Sequence, residues 1–210
     1  MKAIILDVDG TLWDSTDSVA RAWNEKIEEL TDWTLRVTGD QLKTVFGKPM
    51  NEIGDIVFAE YPKSERDEVY QKCMDNQKPR LLIDRPKLYP GVREGIIELS
   101  KRYKVFIVSN CFEGYIESLL DITDMHEYIA DFTCPSYTGK LKADNIRIIM
   151  ERNNIKEAFY VGDTLGDFTA TKEAGIPFVF CRYGFAFGKV PEDECDYIID
   201  FFSDLLKIDF

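Results

Sequence analysis

Hydrophobic and polar positions follow two rhythms along this chain. Residues 3–6, 104–108, 158–161 and 177–181 are short, almost unbroken apolar runs that end abruptly in polar or turn-forming residues. That is the pattern of strands buried on both faces. Elsewhere the apolar spacing lengthens to three and four. Val19, Trp23, Ile27 and Leu30 recur with charges between them, as do Ile96, Ile97 and Leu99 in 92–102, and Ile146, Ile149 and Met150 in 143–153. This spacing predicts amphipathic helices. Further helices are expected over 113–120 and 165–174, with Gly175 suited to the C-terminal end of the second. Residues 131–134 and 197–199 read as shorter strands, and 201–206 as a terminal helix.

From about residue 15 to residue 85 the strand rhythm is missing. Ser15, Thr16 and Asp17 offer caps for the first helix. Thr38-Gly39-Asp40 opens a short helix carrying Leu42, Val45 and Phe46, and Gly47-Lys48-Pro49 breaks it. Ile53, Ile56 and Val57 mark another helix. A longer polar one starts at Ser64 and runs through Val69, Tyr70, Cys73 and Met74, and Pro79 should end or kink it. Outside this block, strands and helices alternate from Val92 onward. Alternation of this kind implies a parallel sheet with helices on both faces. The expected architecture is therefore α/β: a Rossmann-like, doubly wound parallel-sheet core of residues 1–14 and 86–210, with an inserted all-helical cap domain at 15–85.

The 210 residues suffice for one sizeable core and a second small one. A formal net charge of −12 argues against a general nucleic-acid or anionic-membrane surface. Five scattered cysteines, none in a C-x-x-C pair, read as reduced thiols. No charged-then-apolar leader opens the chain, and no apolar run reaches the roughly 20 residues of a membrane span. These readings point to the cytoplasm. A single histidine, His126, speaks against His-based triads and multi-His metal sites.

Three strands end in groups that carry chemistry: Asp7-Val8-Asp9, Ser109-Asn110, and Asp163-Thr164-Leu165-Gly166-Asp167. In a parallel sheet those ends share one edge, where open α/β sheets bind ligands. Four carboxylates held close need a counter-charge. A hard divalent cation such as Mg²⁺ meets that need, with a lysine to complete the balance. Lys142, at the start of a predicted helix, and Lys140 compete for that place.

Asp7-Val8-Asp9-Gly10-Thr11-Leu12 closely resembles the first motif of the haloacid dehalogenase superfamily of phosphotransferases. Val108-Ser109-Asn110 resembles the second motif, Lys142 the third, and Gly162-Asp163-Thr164-Leu165-Gly166-Asp167 the fourth. The order and the helical insertion resemble the phosphoglycolate phosphatase-like subgroup; Ala143 stands where many relatives have a proline after the lysine. The resemblance implies a Mg²⁺-dependent phosphatase acting on a small phosphorylated metabolite. Asp7 would be the nucleophile and Asp9 the general acid and base. Mg²⁺ would be held by Asp7, the backbone carbonyl of Asp9, and Asp163, and Asp167 would support the metal's waters or orient Lys142. Ser109, the Asn110 N–H and Lys142 would bind phosphoryl oxygens, with Thr11 either a further contact or a turn hydroxyl. Lys48 sits where a cap specificity loop is expected, and Arg21 and Trp13 are further candidates for the pocket.

Calcium-loop spacing fails, since Leu12 and Ser18 stand where glycine and glutamate are needed. A non-enzymatic aspartyl-phosphate receiver module has no use for an acid two residues after the nucleophile, nor for a helical insertion. Asp9 argues against a dehalogenase, because halide needs no protonation. A sugar-phosphate mutase of the β-phosphoglucomutase type keeps Asp9 and stays open, and the oligomeric state is undetermined.

Overall fold

The computed structural model describes residues 2–185 and 190–209. Strand β1 (Lys2–Leu6) is followed by five helices: α1 (Thr16–Leu30), α2 (Gly39–Lys43), α3 (Met50–Val57), α4 (Lys63–Asp75) and α5 (Gln77–Asp84). The remainder alternates: α6 (Val92–Ser100), β2 (Lys104–Val108), α7 (Tyr115–Thr123), β3 (Ile129–Thr133), the one-turn α8 (Pro135–Thr138), α9 (Lys142–Arg152), β4 (Glu157–Gly162), α10 (Leu165–Ala174), β5 (Phe178–Cys181) and β6 (Tyr197–Ile199). The strands form one sheet in the order β3-β2-β1-β4-β5-β6, and every pairing is parallel. This is the expected α/β Rossmann-like core.

The apolar runs are unbroken because both faces of the sheet are covered. Ile4 and Leu6 of β1, Val105 and Ile107 of β2, and Phe159 and Val161 of β4 pack on one side with α6 and α7 residues. Ala3, Ile5, Phe106, Val108, Ala158 and Tyr160 pack on the other, with Ile146 and Ile149 of α9. Each fully buried Ile, Leu or Val contributes about 1.5–3 kcal/mol. A third cluster lies among α1–α4, around Trp23, Ile27, Leu42, Ile53 and Phe58. The Trp23 ring meets Tyr70 edge-on, with centroids 5.3 Å apart.

The winding order positions the site. From β1 the chain moves outward through β2 and β3, then returns to the other side of β1 for β4, β5 and β6. Such a switch point opens a crevice at the carboxyl ends of the strands. Leu6 is level with Ile107 and Val161 in the ladders, so the residues just past β1, β2 and β4 leave the sheet side by side.

Several local expectations are corrected. Pro79 neither ends nor kinks a helix. It is the third residue of α5, where its missing N–H costs nothing, and the break falls at Asn76 between α4 and α5. The Asn76 amide bonds Ala22 O at 2.9 Å and Glu25 Oε2 at 3.0 Å, which ties that junction to α1. Ser15 occupies the cap position of α1 but makes no side-chain cap bond, because its hydroxyl is drawn to Asp9 instead. Leu30, the last residue of α1, is 46% exposed, and Ile56 is 48% exposed, whereas Ile53 and Gly54 are the buried residues of α3. The terminal helix is a 3₁₀ segment, Phe202–Lys207.

Candidate active site

Beyond β1 the backbone is still held to the sheet: the Asp7 N–H donates to Val161 O at 2.9 Å. The chain then folds tightly, with Val8 O accepting from the Leu12 N–H at 2.7 Å. Gly10 makes this turn possible. Its φ is +81°, and a Cβ there would lie 2.1 Å from Asp163 Oδ2. Only a glycine lets the first acidic loop approach the loop after β4 so closely.

Lys142, the first residue of α9, is buried and bridges two acids. Its Nζ donates to Asp7 Oδ1 at 2.8 Å and to Asp167 Oδ1 at 2.6 Å. Lys140 is exposed, which decides between the two lysines in favour of Lys142. The Tyr160 hydroxyl, 2.6 Å from Val108 O, also lies 3.3 Å from Asp7 Oδ1. Asp167 has both oxygens engaged. Its Oδ2 accepts from the Asp163 and Thr164 N–H groups and from Thr164 Oγ1 at 2.6 Å, in a capping box that starts α10. Asp163 Oδ1 accepts from Thr11 Oγ1 at 3.3 Å and its Oδ2 from the Phe185 N–H at 2.7 Å.

The Asp9 side chain turns the other way. Its Oδ1 accepts from Tyr115 OH at 2.7 Å and from Ser15 Oγ at 2.8 Å, and the two hydroxyls are 2.5 Å apart. Burial pushes the Asp9 carboxyl up to about 7, although these hydrogen bonds favour its ionised form. Burial also raises Asp7, to about 6; Lys142 pulls it down and the Asp167 charge pushes it up. Asp163 rises well above the carboxylate range, by burial and then by the charges of Asp167 and Asp7. Burial alone would favour loss of the Lys142 proton. The charges of Asp167 and Asp7 outweigh it and hold that proton above the usual lysine range.

Ser109 and Asn110 close the site from the end of β2. Together with Asp7, Asp9, Cys111 and Tyr115 they line a narrow cavity. Phe46, Gly47, Met50, Ile53 and Gln77 of the helical block form its opposite wall. The Asn110 Nδ2 donates to Gly47 O at 2.8 Å and fastens that wall to the sheet edge.

The remaining predicted residues lie elsewhere. The Thr11 hydroxyl faces Asp163 rather than the cavity. Lys48 lines an adjoining groove, which shares Phe46, Gly47 and Asn110 with the cavity and also contains Lys142, Thr164 and Leu165. Arg21 pairs with Asp84 at 2.7 Å. Trp13 is fully buried, with its ring against Tyr115. Four groups escaped the sequence reading: Ser15, Tyr115, Tyr160 and Gln77. A phenol inside a strand as apolar as β4 is the one available signal, since a buried hydroxyl must find a partner.

One oxygen from each of Asp7, Asp163 and Asp167 lies within 4.8 Å of the other two. Oxygen donors alone, and three carboxylates gathered around one ammonium, suit a hard divalent cation. Both oxygens of Asp163 and both of Asp167 already accept hydrogen bonds, whereas the bonds to Asp7 fall on Oδ1.

A family model described as haloacid dehalogenase-like hydrolase matches residues 4–181. A phosphoglycolate phosphatase of Nitrosospira multiformis is 28% identical, over 99% of this chain and 95% of its own. Among solved structures, a predicted phosphoglycolate phosphatase from Haemophilus somnus superposes with a TM-score of 0.85 at 20% identity, covering 99% of this chain and 97% of its own. CbbY from Rhodobacter sphaeroides, in complex with phosphate, gives 0.78 at 21%, covering 97% and 95%. Among the described residues no helix is long and apolar enough to cross a membrane.

Proposed function

The chain belongs to the haloacid dehalogenase-like hydrolases, and from that premise we propose that this phosphatase hydrolyses small-molecule phosphomonoesters through an aspartyl-phosphate on Asp7. The observation that carries the reading is the convergence of Asp7, Asp163 and Lys142, with Asp9 two residues on, at one edge of the sheet. Asp7 Oδ1 is held by Lys142, which leaves Oδ2 to attack phosphorus. As the bond from phosphorus to the leaving oxygen breaks, Asp9 gives that oxygen its proton, a role suited to a carboxyl that keeps its proton near neutrality. Asp9 then takes a proton from water. The water oxygen attacks phosphorus, inorganic phosphate leaves, and Asp7 is restored.

Lys142, the Ser109 hydroxyl and the Asn110 N–H stabilise charge on the phosphoryl oxygens. Asp7, the carbonyl of Asp9, and Asp163 would hold Mg²⁺, which when bound neutralises charge on the acids and the phosphoryl group. Asp167 orients Lys142. Residues 15–85 act as a cap over the core of 1–14 and 86–210. Their loop at 46–49 and the end of β2 exclude water during transfer.

Release of inorganic phosphate from p-nitrophenyl phosphate tests the reading. Turnover should need Mg²⁺, cease with EDTA and return when Mg²⁺ is restored. Asp7→Asn should lower it by about 10⁴-fold or more with an unchanged circular dichroism spectrum. Activity retained in that variant rejects the nucleophile.

A further inference from the structure

Two hollows meet at Met50 and Phe112. The inner one contains Asp7 and Asp9; the outer is a groove of about 700 Å³ between the helical block and the core. The wall of the inner cavity supplied by the helical block is apolar, from Phe46, Met50 and Ile53, apart from the Gln77 side chain. Gln77 is only 2% exposed, and its Nε2 lies 3.0 Å from Met74 Sδ. A thioether is a weak acceptor. A buried primary amide therefore keeps most of its hydrogen-bonding capacity, on the wall of the cavity that holds the proposed general acid.

No cation of the described residues of the helical block lines the inner cavity. Arg21 is held by Asp84 and Lys43 by Asp14, and Lys48 is outside the cavity lining, in a groove that adjoins it at Phe46, Gly47 and Asn110. In the outer groove Lys63 and Arg66 are paired with Asp55, Lys63 also with Asp67, and Lys78 is a third base against the four acids Asp55, Asp67, Asp75 and Glu113. A carboxylate on the leaving group would be buried beside Asp9 and Asp7 with no positive side chain on the helical wall to meet it. That arrangement is costly. A hydroxyl or carbonyl meets an amide able to donate and accept.

Taking the phosphatase reading as given, we infer that the group this enzyme releases from phosphate is an uncharged alcohol bearing a further hydroxyl or carbonyl, and that Gln77 selects it. Gln77 is a specificity determinant rather than part of the phosphoryl-transfer machinery.

The test compares kcat/KM of the Mg²⁺-loaded protein on glycerol 3-phosphate, n-propyl phosphate and 2-phosphoglycolate. p-Nitrophenyl phosphate reports the underlying phosphatase. Wild-type protein should favour glycerol 3-phosphate over 2-phosphoglycolate by at least about tenfold. Gln77→Met keeps the bulk and removes the amide; it should lower the ratio of glycerol 3-phosphate to n-propyl phosphate about five- to tenfold, whatever happens to the absolute rates. Calorimetric binding to the Asp7→Asn protein should show the same order among the three esters without turnover. Hydrolysis of p-nitrophenyl phosphate together with equal or better use of 2-phosphoglycolate overturns the inference and leaves the phosphatase standing. An unchanged ratio in Gln77→Met overturns the role of Gln77. Should that variant fail to fold, the wild-type ratio alone decides the charge of the leaving group. No turnover of any ester overturns both readings.

Discussion

Asp9 depends on two hydroxyls for its orientation. Tyr115 comes from the start of α7 and Ser15 from the residue before α1, and both reach the same carboxylate oxygen. Tyr115→Phe removes one of these bonds with little change in shape. In the proposed mechanism a poor leaving group needs protonation by Asp9, whereas p-nitrophenolate leaves without it. Tyr115→Phe should therefore slow hydrolysis of n-propyl phosphate about tenfold more than that of p-nitrophenyl phosphate. Equal loss on the two substrates would assign Tyr115 to packing. The sequence marked Asp7, Asp9, Asp163 and Asp167 because each follows an apolar run, but it assigned Ser15 to a helix cap and left Tyr115 unmarked. Tyr115 is 106 positions from Asp9, and nothing in local spacing links them. Ser15 stood at a helix start, where capping is the default use of a serine.

At the scale of elements, α10 couples stability to the site. Thr164 caps it, and the same hydroxyl binds Asp167 Oδ2 at 2.6 Å, while the other oxygen of Asp167 holds Lys142. Thr164→Ala should cost about 1 kcal/mol in denaturant unfolding and lower kcat, and Thr164→Ser should recover most of both. Failure of serine to rescue would point to the threonine methyl, which lies against Gly47. Strands and long helices were legible here, because the burial that forms them is written in their periodicity. Breaks were less so. Pro79 is a helix breaker only in a helix interior, and it was the packing of Asn76 onto α1 that set the boundary.

At the scale of the whole molecule, the acids gathered at the sheet edge work against folding. Asp7 and Asp9 rise from 3.8 to about 6 and about 7 on folding. The folded chain holds these protons to higher pH than the unfolded chain. Their stabilising contribution is complete below about pH 3.8 and is lost as pH rises through 6 and 7. The melting temperature of metal-free protein should fall by several degrees between pH 5 and pH 7.5. Asp9→Asn should flatten that slope, and Mg²⁺ should raise the melting temperature more at pH 7.5 than at pH 5. A slope that is flat, or the same in Asp9→Asn, would show that these carboxyls do not control it.

The amino-acid order by itself determined the parallel sheet, the helical stretch between its first two strands, and the acids at the strand ends. Period and chain-local turn chemistry suffice for these, since each is a property of neighbouring residues. Tertiary structure alone decided the rest: Lys142 over Lys140, Asp163 pressed against Gly10, Asp9 clamped by Tyr115 and Ser15, and Gln77 rather than Lys48 on the wall of the cavity. Those pairings join residues far apart in the chain, and only the winding of the sheet around β1 sets which side chains meet.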